Sequence, residues 1–325
     1  MDKRSVLVTG IGGNVAQGVI RNIKAEFPEI RVVGCNIAEF SSGNHLCDAF
    51  YKVPYAYDAE YLPAIQNIVA SENIDLVIPT TDYEIFHLSE YSAGINTVIV
   101  ASDVTSSGIY LDKYLTFLHH QKNNIPFALS CLPSQYEGEF DNFILKPRKG
   151  RGSRGLHFNP PDISMFSDEE YMVQQMHKGM EITTAFYVNK ENRLHGHITL
   201  IRELENGATG RCRVTQEFDS VLLTVINGMI ANGNIKGSAN IQSIVADNGT
   251  IWPFEVNCRI SGTNSIRSNF GFKDVKYTIQ EYLYNTLPDQ PLISRGIAVR
   301  VLMDVIYPDV NDYSDCINND NFFLF

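Results

Sequence analysis

A polar hairpin in the last third of the chain constrains its fold more than any other feature. Residues 240–257 contain two stretches with the alternating polarity of β-strands, and the turn-forming run Asp-Asn-Gly-Thr separates them at 247–250. If those four residues form the loop, Ala246 pairs with Ile251 in antiparallel register. Because an isolated hairpin is only marginally stable in water, this part of the chain is predicted to contain a larger antiparallel sheet.

The hairpin collects polar side chains on one face. The same register sets Gln242 directly opposite Glu255, and Asn257 faces the same way because side chains alternate along a strand. Arg259 continues this face if the strand persists. Carboxylate and amide oxygens suit Mg²⁺, which shares its coordination with substrate phosphates, and a guanidinium suits phosphoryl oxygens. The hairpin predicts a magnesium–phosphate site, and the solvent-facing side of a surface strand is the alternative that stays open.

The first hundred residues alternate apolar strands with amphipathic helices, which is typical of a doubly wound parallel sheet. The predicted strands are residues 5–9, 31–36, 76–79 and 97–101, and the predicted helices are residues 15–26 and 58–72. A glycine turn at 10–14 suggests dinucleotide binding, but the third glycine of that motif would fall at Val15, and Asn36 replaces the ribose-binding acid. NAD or FAD binding is therefore not predicted. The turn serves strand–helix packing or binds a small anion at the helix N-terminus.

The segment after the third predicted strand, residues 79–84, has two interpretations. It lies at the carboxyl end of that strand, where open sheets bind ligands, so it can contact an acid substrate. Asp82 and Glu84 equally fit the first turn of a capped helix, where carboxylates are favoured, and we prefer this second interpretation.

Two lysines and a glycine loop mark the middle of the chain. Lys113 opens a helix that extends to about residue 123, and Lys146 ends an apolar strand. The loop that follows, residues 149–155, mixes glycines and a serine with cationic side chains. Glycines let backbone N–H groups approach phosphates, and cations neutralise them, so a phosphate-binding loop is predicted. It lacks the ending of a Walker A loop, and a flexible basic hairpin tip is the alternative.

Two further strands are predicted at 171–176 and 182–188. Between them, the extended residues 174–177 can offer backbone N–H and C=O groups to an adenine edge. Glu181 can accept hydrogen bonds from ribose hydroxyls, although a solvated charge at the start of a strand explains it as well.

Taken in order, these motifs resemble the ATP-grasp superfamily, and most closely the stand-alone proteins similar to the synthetase domains of the carbamoyl-phosphate synthetase large chain. The resemblance rests on Asp112-Lys113, Ile144-Leu145-Lys146-Pro147, the glycine loop 150–155, Val173-Gln174-Gln175-Met176 with Gly179-x-Glu181, Asn240-x-Gln242, and Glu255-x-Asn257-x-Arg259-x-Ser261-Gly262. It implies an α/β and α+β fold: a parallel α/β domain at 1–108, a small lid domain at 109–177, and an antiparallel-sheet domain with the metal site at 178–325.

The resemblance also implies a role for each motif. Lys113 and Lys146 match lysines that contact ATP phosphates, and the loop 149–155 matches the lid over the β- and γ-phosphates. Glu181 matches the ribose-binding acid, and Arg259 matches the arginine near the transferred phosphoryl group. The remaining implied positions are Lys149, Gly150, Gly152, Ser153 and Gly155 in the lid, Gln174, Gln175 and Met176 in the adenine hinge, and Gln242, Glu255 and Asn257 as Mg²⁺ ligands.

The implied cofactors are ATP and Mg²⁺, with Mn²⁺ as a substitute. The implied reaction joins a small-molecule carboxylate to an amine through an acylphosphate, with Lys146 and Arg259 as the catalytic cations. Gln175 stands where the family often has Glu, so the adenine contacts depart from the pattern. Cys258 stands where Pro is usual, and neither departure removes a metal ligand. A small-molecule kinase and a nucleotide-binding regulatory subunit without turnover stay open as alternatives.

Three other features have weaker interpretations. Arg211 and Arg213 can hold the carboxylate of the substrate, or they are charges at a strand edge. His195 and His197 have the spacing of a metal pair on a strand, but a metal role is not expected beside an oxygen-ligand site. The segment 318–325 is polar and then aromatic, and it packs onto the body of the protein or onto a partner.

Composition limits the classes of partner. The net charge of −11 argues against a nucleic-acid-binding surface, which needs a basic stripe. Six cysteines without a Cys-x-x-Cys pair predict reduced thiols and a cytoplasmic location. The first apolar run, Val6–Val8, is too short for a signal peptide, and no membrane segment is expected. The sequence leaves monomer and homodimer open.

Overall fold

The N-terminal part of the molecule is a parallel sheet between helices. The computed structural model describes residues 4–150, 152, 154–317 and 319–325. The elements of this part are β1 Ser5–Thr9, α1 Asn14–Glu26, β2 Arg31–Asn36, β3 Ala49–Lys52, α2 Tyr61–Ser71, β4 Leu76–Ile78, α3 Asp82–Glu90, β5 Val98–Ile99 and α4 Val104–Leu111. The strand order is β3-β2-β1-β4-β5, and β3 is the strand that the sequence pattern did not predict. It is only partly buried at the sheet edge, and its apolar run, residues 49–51, is too short to mark a strand.

The central strand β1 is apolar on both faces because helices cover both sides. Val6 and Val8 pack against α1, whereas Leu7 packs in a second cluster with α2. Since β1 lies between β2 and β4, the chain reverses its winding direction between β1 and β4. The residues that follow these two strands, Gly10 and Thr80, meet at that point, and a Cβ atom on Gly10 would lie 3.0 Å from the Thr80 hydroxyl.

The helix interpretation of residues 79–84 is confirmed. Helix α3 begins at Asp82, and its N-cap is Thr81, whose hydroxyl accepts a hydrogen bond from the Glu84 N–H at 3.3 Å. The buried Glu84 carboxylate accepts hydrogen bonds from the hydroxyls of Thr9 and Thr81, at 2.7 and 2.8 Å. This segment therefore fixes α3 to the carboxyl end of β1.

The middle of the chain forms a four-stranded antiparallel sheet. Its elements are α5 Lys113–Lys122, β6 Ser130–Cys131, β7 Phe143–Pro147, β8 His157–Phe158 and β9 Tyr171–Gln175. The strand order is β6-β9-β7-β8, and the core on one side contains Phe143, Leu145 and Val173.

The last part is a six-stranded antiparallel sheet in the order β14-β13-β10-β11-β12-β15. Its elements are β10 Met180–Val188, β11 Leu194–Glu205, β12 Ala208–Thr215, α6 Asp219–Asn232, β13 Gly237–Val245, β14 Ile251–Asn257, α7 Asn264–Arg267, α8 Asp274–Thr278 and β15 Ile297–Val299. Helix α6 covers one face, where it packs on Phe186 and Val188. Ala185 and Tyr187 face the opposite side, where they pack with Phe272 and Tyr277.

The C-terminal segment folds back onto the parallel domain. Strands β16 Val305–Ile306 and β17 Phe323–Leu324 form a two-stranded ribbon. Next to it, the Phe322 ring lies 5.6 Å from the Tyr307 ring and 5.5 Å from the His45 ring. The described part of this segment thus packs on its own chain, and Asn318 lies outside the described residues. Among the described helices, none combines the length and the apolar character needed to cross a membrane.

Candidate active site between the two antiparallel sheets

The predicted hairpin is β13–β14, and its register shifts within the pair. Gln242 pairs with Glu255, as the sequence predicted. The predicted pairing of Ala246 with Ile251 is wrong, because Val245 is the partner of Ile251. The two observations are compatible because β14 has one more residue than β13 between these pairs. The predicted pair of polar side chains therefore forms through a bulge that the sequence analysis did not include.

The additional residue of this bulge is Phe254, which follows Pro253. A proline donates no hydrogen bond to a sheet, so it is tolerated next to a bulge. The Phe254 carbonyl oxygen accepts hydrogen bonds from Lys146 Nζ at 3.2 Å and from Gln174 Nε2 at 3.4 Å. The bulge thus joins the large sheet to the small one at the position of the predicted phosphate lysine.

The polar side chains of β14 form a connected row. Asn257 Nδ2 donates to Glu255 Oε1 at 3.1 Å, and Arg259 Nη2 donates to Asn257 Oδ1 at 2.7 Å. Arg259 Nε also donates to Asp82 Oδ2 at 2.9 Å. Because Asp82 is the first residue of α3, this ion pair fixes the predicted catalytic arginine to the parallel domain, near the carboxyl ends of β1 and β4.

Two lysine side chains lower the pKa of Glu255, the carboxylate of this row. Lys146 is only 4% exposed, and its Nζ donates to Gln174 Oε1 at 2.7 Å. Burial lowers the pKa of Lys146 to about 7, with Glu255 opposing the change and Lys113 adding to it. Burial raises the pKa of Glu255, but the charges of Lys113 and Lys146, with the adjacent amide and guanidinium, outweigh it and lower that pKa below its ordinary value. Glu255 is therefore an ionised, half-buried carboxylate.

The base of the glycine loop is fixed to the start of α5. The Lys113 backbone N–H donates to the Arg148 carbonyl oxygen at 2.9 Å, and Lys113 Nζ donates to the Gly150 carbonyl oxygen at 3.0 Å. Arg148 in turn donates to both carboxylate oxygens of Asp112, the N-cap of α5. In the motif Asp112-Lys113, Asp112 thus holds Arg148 at the base of the loop, and Lys113 extends its side chain toward the predicted phosphate site.

The loop itself needs glycines. Gly152 and Gly155 have φ angles of +65° and +68°, where side chains are strained, and a Cβ atom on Gly155 would also lie 3.0 Å from Pro147. Lys149 is exposed at the start of the loop, and Ser153 lies outside the described residues. Exposed backbone and an exposed cation three residues from the buried lysine are what a phosphate-binding lid requires.

The predicted adenine hinge, Gln174 to Met176, lies at the end of β9. The Gln174 side chain is buried against Lys146. The N–H groups of Gln175 and Met176 donate to carbonyl oxygens of the protein itself, at 2.8 and 2.9 Å. The N–H of His177 has no protein acceptor in the part of the chain that the structure describes. The backbone donor that this segment leaves open to a base is therefore the His177 N–H, within the extended residues 174–177 of the sequence prediction.

An aromatic stack borders this segment. The His177 ring lies parallel to the Trp252 ring, with centroids 4.2 Å apart and planes within 1°. Trp252 is the single tryptophan of the chain. The stack ties the end of the small sheet to β14.

Arg202 joins two predicted ligands, and the sequence analysis missed it. Its Nε donates to Glu181 Oε1 at 2.9 Å, and its Nη2 donates both to Glu181 Oε1 and, at 2.5 Å, to Gln242 Oε1. The three side chains come from β11, β10 and β13, and their partners are 21 and 40 residues from Arg202 in the sequence. No local pattern signals such a contact. Only the pairing of Ile182 with Ile201 would have brought Arg202 beside Glu181.

Arg211 and Arg213 lie on the other face of the sheet. Arg202 pairs with Cys212 across β11 and β12, so the neighbours of Cys212 point away from the Arg202 side. Both arginines are exposed, and each forms an ion pair with a surface glutamate. These contacts support the strand-edge interpretation of the two residues.

A buried hydrogen-bond network contacts β13, the strand that carries the predicted ligand Gln242. Arg267 is fully buried, forms an ion pair with Asp274, and donates to the hydroxyls of Ser261 and Thr263 at 2.7 and 2.8 Å. The Ser261 hydroxyl donates to Asn240 Oδ1 at 3.1 Å, on the strand that carries Gln242. Sequence reasoning missed this network because tertiary packing, not local spacing, brings Arg267 and Asp274 together from two short helices.

The donor set fits a hard divalent cation. Gln242, Glu255 and Asn257 lie on one face of adjacent strands and offer two amide oxygens and one ionised carboxylate. In the described part of the chain, no group of three or more His, Cys, Asp or Glu side chains is arranged to hold a metal. His195 and His197 contact different partners, the Asp289 carbonyl and the Asp219 carboxylate. An oxygen-ligand site with a single carboxylate agrees with these findings.

Solved structures with this architecture define its class. N5-carboxyaminoimidazole synthetase from Staphylococcus aureus, complexed with ADP, superposes with a TM-score of 0.74 at 12% identity, over 92% of this chain and 82% of that one. Biotin carboxylase from Campylobacter jejuni superposes with a TM-score of 0.71 at 16% identity, over 94% and 76%. L-amino acid ligase from Bacillus licheniformis gives 0.67 at 13% identity, over 89% and 75%. The chain has the ATP-grasp fold, so the fold class predicted from the sequence motifs is confirmed.

A protein-family model matches the first part of the chain. Residues 6–101 match the model described as PylC-like, N-terminal domain. They span the parallel sheet from β1 to β5. A search of curated protein sequences finds no match.

Proposed function

We propose that this protein is an ATP-dependent ligase that activates a small-molecule carboxylate as an acylphosphate and then joins it to an amine or a related nucleophile. The observation that carries the proposal is the half-buried carboxylate of Glu255, whose pKa is lowered by Lys113 and Lys146 from two other elements. Two cations facing an ionised oxygen ligand between two sheets are suited to a metal-bound phosphate chain. The similar structures include a synthetase and a carboxylase domain described with ADP, and they support this reading.

The proposed metal ligands are Gln242, Glu255 and Asn257. Bound there, Mg²⁺ would neutralise charge on the phosphates of ATP as the terminal phosphoryl group transfers. The similar carboxylase domain described with MgADP supports the choice of metal. Mn²⁺ has the same preference for oxygen ligands and is proposed as a substitute.

The side chains of the protein position the phosphates and neutralise charge. Lys146 in its charged form donates hydrogen bonds to phosphate oxygens, and Lys113 adds charge at the mouth of the loop. Arg259 is held by Asp82 through Nε and by Asn257 through Nη2, and its Nη1 donates to the Ile260 carbonyl oxygen at 3.3 Å. Backbone groups of residues 175–177 receive the base, and the glycine loop covers the phosphates.

The chemistry needs no nucleophile from the protein. A carboxylate oxygen of the substrate forms a bond to the terminal phosphorus, and the bond from that phosphorus to the ADP oxygen breaks. The amine then attacks the acyl carbon, inorganic phosphate leaves, and a proton is lost from the nitrogen. We place the acid substrate beside Arg259 and Asp82, because they border the point where the parallel sheet reverses its winding, and open sheets bind ligands there.

The proposal also concerns the identity of the acid substrate. Motifs in the sequence favour a carbamoyl-phosphate synthetase-like reaction, which starts from bicarbonate. The similar structures include a carboxyaminoimidazole synthetase and an amino acid ligase, so acids of several sizes are candidates. A trapping experiment distinguishes them, because the proposed acylphosphate of each acid gives its own hydroxamate with hydroxylamine.

The test is to incubate the protein with Mg-ATP, pools of carboxylates and hydroxylamine, and to measure ADP and hydroxamate. A hydroxamate that depends on one acid supports the ligase. A stable phosphorylated product indicates a kinase, and nucleotide binding without ADP release from any pool indicates a regulatory subunit. Glu255→Gln should abolish ADP release while the fold persists. Glu203→Gln, at an exposed glutamate of β11, is the matched control and should leave the rate unchanged.

A further inference from the structure

Arg202 lies inside the proposed nucleotide site. It donates one more hydrogen bond than its ion pair with Glu181 requires. Its side chain is only 12% exposed. Two bonds to one oxygen of Glu181 would already satisfy the pair, yet Nη2 also donates to Gln242 Oε1. The guanidinium thus spans three strands, from the acid assigned to the ribose to an amide oxygen assigned to the metal. That oxygen is the atom through which Gln242 would bind a cation.

We propose that Arg202 is an internal cation of the nucleotide-free site, which excludes a divalent ion until the phosphates of a nucleotide enter. This proposal rests on the proposed function, because it takes Gln242 as a metal ligand. It makes metal binding conditional on nucleotide binding. The protein then takes up the metal with the nucleotide and does not hold it alone.

The charge count of the site gives the physical reason. Apart from the exposed Lys149 of the glycine loop, the charged side chains that line it are Lys113, Lys146, Arg202 and Arg259 against Asp82, Glu181 and Glu255. Four cations and three carboxylates leave a net charge of +1 when all are ionised. A divalent ion entering alone is repelled by that surplus, whereas the several negative charges of a nucleotide reverse it. Removing Arg202 brings the count to zero and frees the oxygen of Gln242.

Arg202 also differs from the other cations in its position. Lys113 and Lys146 bond to carbonyl and amide oxygens of the protein that are not assigned to the metal. Arg259 also bonds to a proposed ligand, Asn257, but it is the predicted phosphoryl-binding arginine and its ion pair with Asp82 fixes it to the parallel domain. Arg202 is therefore the cation whose loss changes the metal ligands while the phosphate lysines stay in place.

The test measures Mn²⁺ binding by electron paramagnetic resonance without nucleotide, for the full chain and for Arg202→Met. We expect the variant to bind one Mn²⁺ roughly tenfold more tightly than the unmodified protein, because a neighbouring positive charge has been removed. Adding Glu255→Gln to the variant should remove this binding. Arg211→Met removes the same charge from the opposite face of the sheet, so it should leave Mn²⁺ binding unchanged.

Equal Mn²⁺ affinity in Arg202→Met and the unmodified protein overturns the proposal, and so does a gain that Glu255→Gln does not remove. If Arg202→Met fails to fold, Arg202→Gln retains a hydrogen-bond donor to Glu181 and is measured in its place. A parallel titration with ADP present tests the proposed function separately. Mn²⁺ binding that needs ADP and is lost in Glu255→Gln supports the metal site, whatever the result for Arg202.

Discussion

Nucleotide affinity should fall as the pH rises above about 7, because Lys146 loses its proton in this range. The side chain is 4% exposed, and burial lowers its pKa from the ordinary 10.5 to about 7. That difference corresponds to about 5 kcal/mol of unfavourable free energy for the charged form in the empty site. Phosphate oxygens favour the charged form, so binding should restore the proton.

The magnitude follows from linkage. If only charged Lys146 binds the phosphates, the apparent dissociation constant is multiplied by one plus the ratio of neutral to charged lysine. With a pKa of about 7, affinity is nearly constant below about pH 6, about twofold weaker at pH 7, and roughly elevenfold weaker at pH 8. Binding should take up about half a proton at pH 7 and about 0.9 proton at pH 8.

Isothermal titration calorimetry with magnesium-saturated ADP measures both quantities, in buffers that differ in ionisation enthalpy. Lys146→Arg should bind with a pH-independent affinity and no proton uptake, because arginine stays charged. Lys113→Met should move the inflection to higher pH, since Lys113 is one of the charges that lower the pKa of Lys146. Affinity that does not change with pH in the unmodified protein would refute the reasoning, as would an inflection that persists in Lys146→Arg.

Three further predictions concern residues around the site. Arg267→Met should lower the free energy of unfolding by about 3–5 kcal/mol, because it leaves Asp274 charged and buried, and the double variant with Asp274→Leu should recover most of the loss in a urea titration. His120 is fully buried with its pKa lowered to about 4, so the folded state binds fewer protons than the unfolded state, and stability should fall by up to about 3 kcal/mol as the pH drops from 6.5 to 4. His120→Phe should abolish that part of the acid sensitivity, and an unchanged profile would contradict it. Asp82→Asn should lower kcat roughly 10–100-fold with little change in the KM for ATP, because it releases Arg259, and a loss confined to the KM for ATP would argue against this positioning role.

Regular patterns made most of the fold predictable. Alternating polarity located the hairpin strands, and apolar runs between helices located the parallel sheet, because both depend on residues that are neighbours in sequence. The four-residue strand β3 escaped because its side chains are only partly buried at a sheet edge. The pairing of Gln242 with Glu255 was predicted from a register that fails at the loop, and the bulge at Phe254 restores it. A bulge depends on the contacts of its carbonyl group, which sequence periodicity does not report.

The site residues that belong to sequence motifs were predictable. The site residues that only tertiary contacts bring into place were not. Lys146 was found from its place at the end of a strand, but its bond to the buried Gln174 side chain had no signal in the sequence. Arg202 and Arg267 gave no signal, since their partners are set by strand pairing and by buried packing. Long-range polar contacts of this kind are fixed only when the sheets are assembled.

The stacked rings of His177 and Trp252 make the site observable without a label. A single indole lies 4.2 Å from an imidazole at the end of the hinge segment, so all tryptophan emission comes from this one place. A base that binds along residues 175–177 changes the polarity around that indole, and a protonated imidazole would quench it. Ultraviolet-excited emission therefore reads out occupancy of the hinge in the unmodified chain, and stopped-flow mixing can time it.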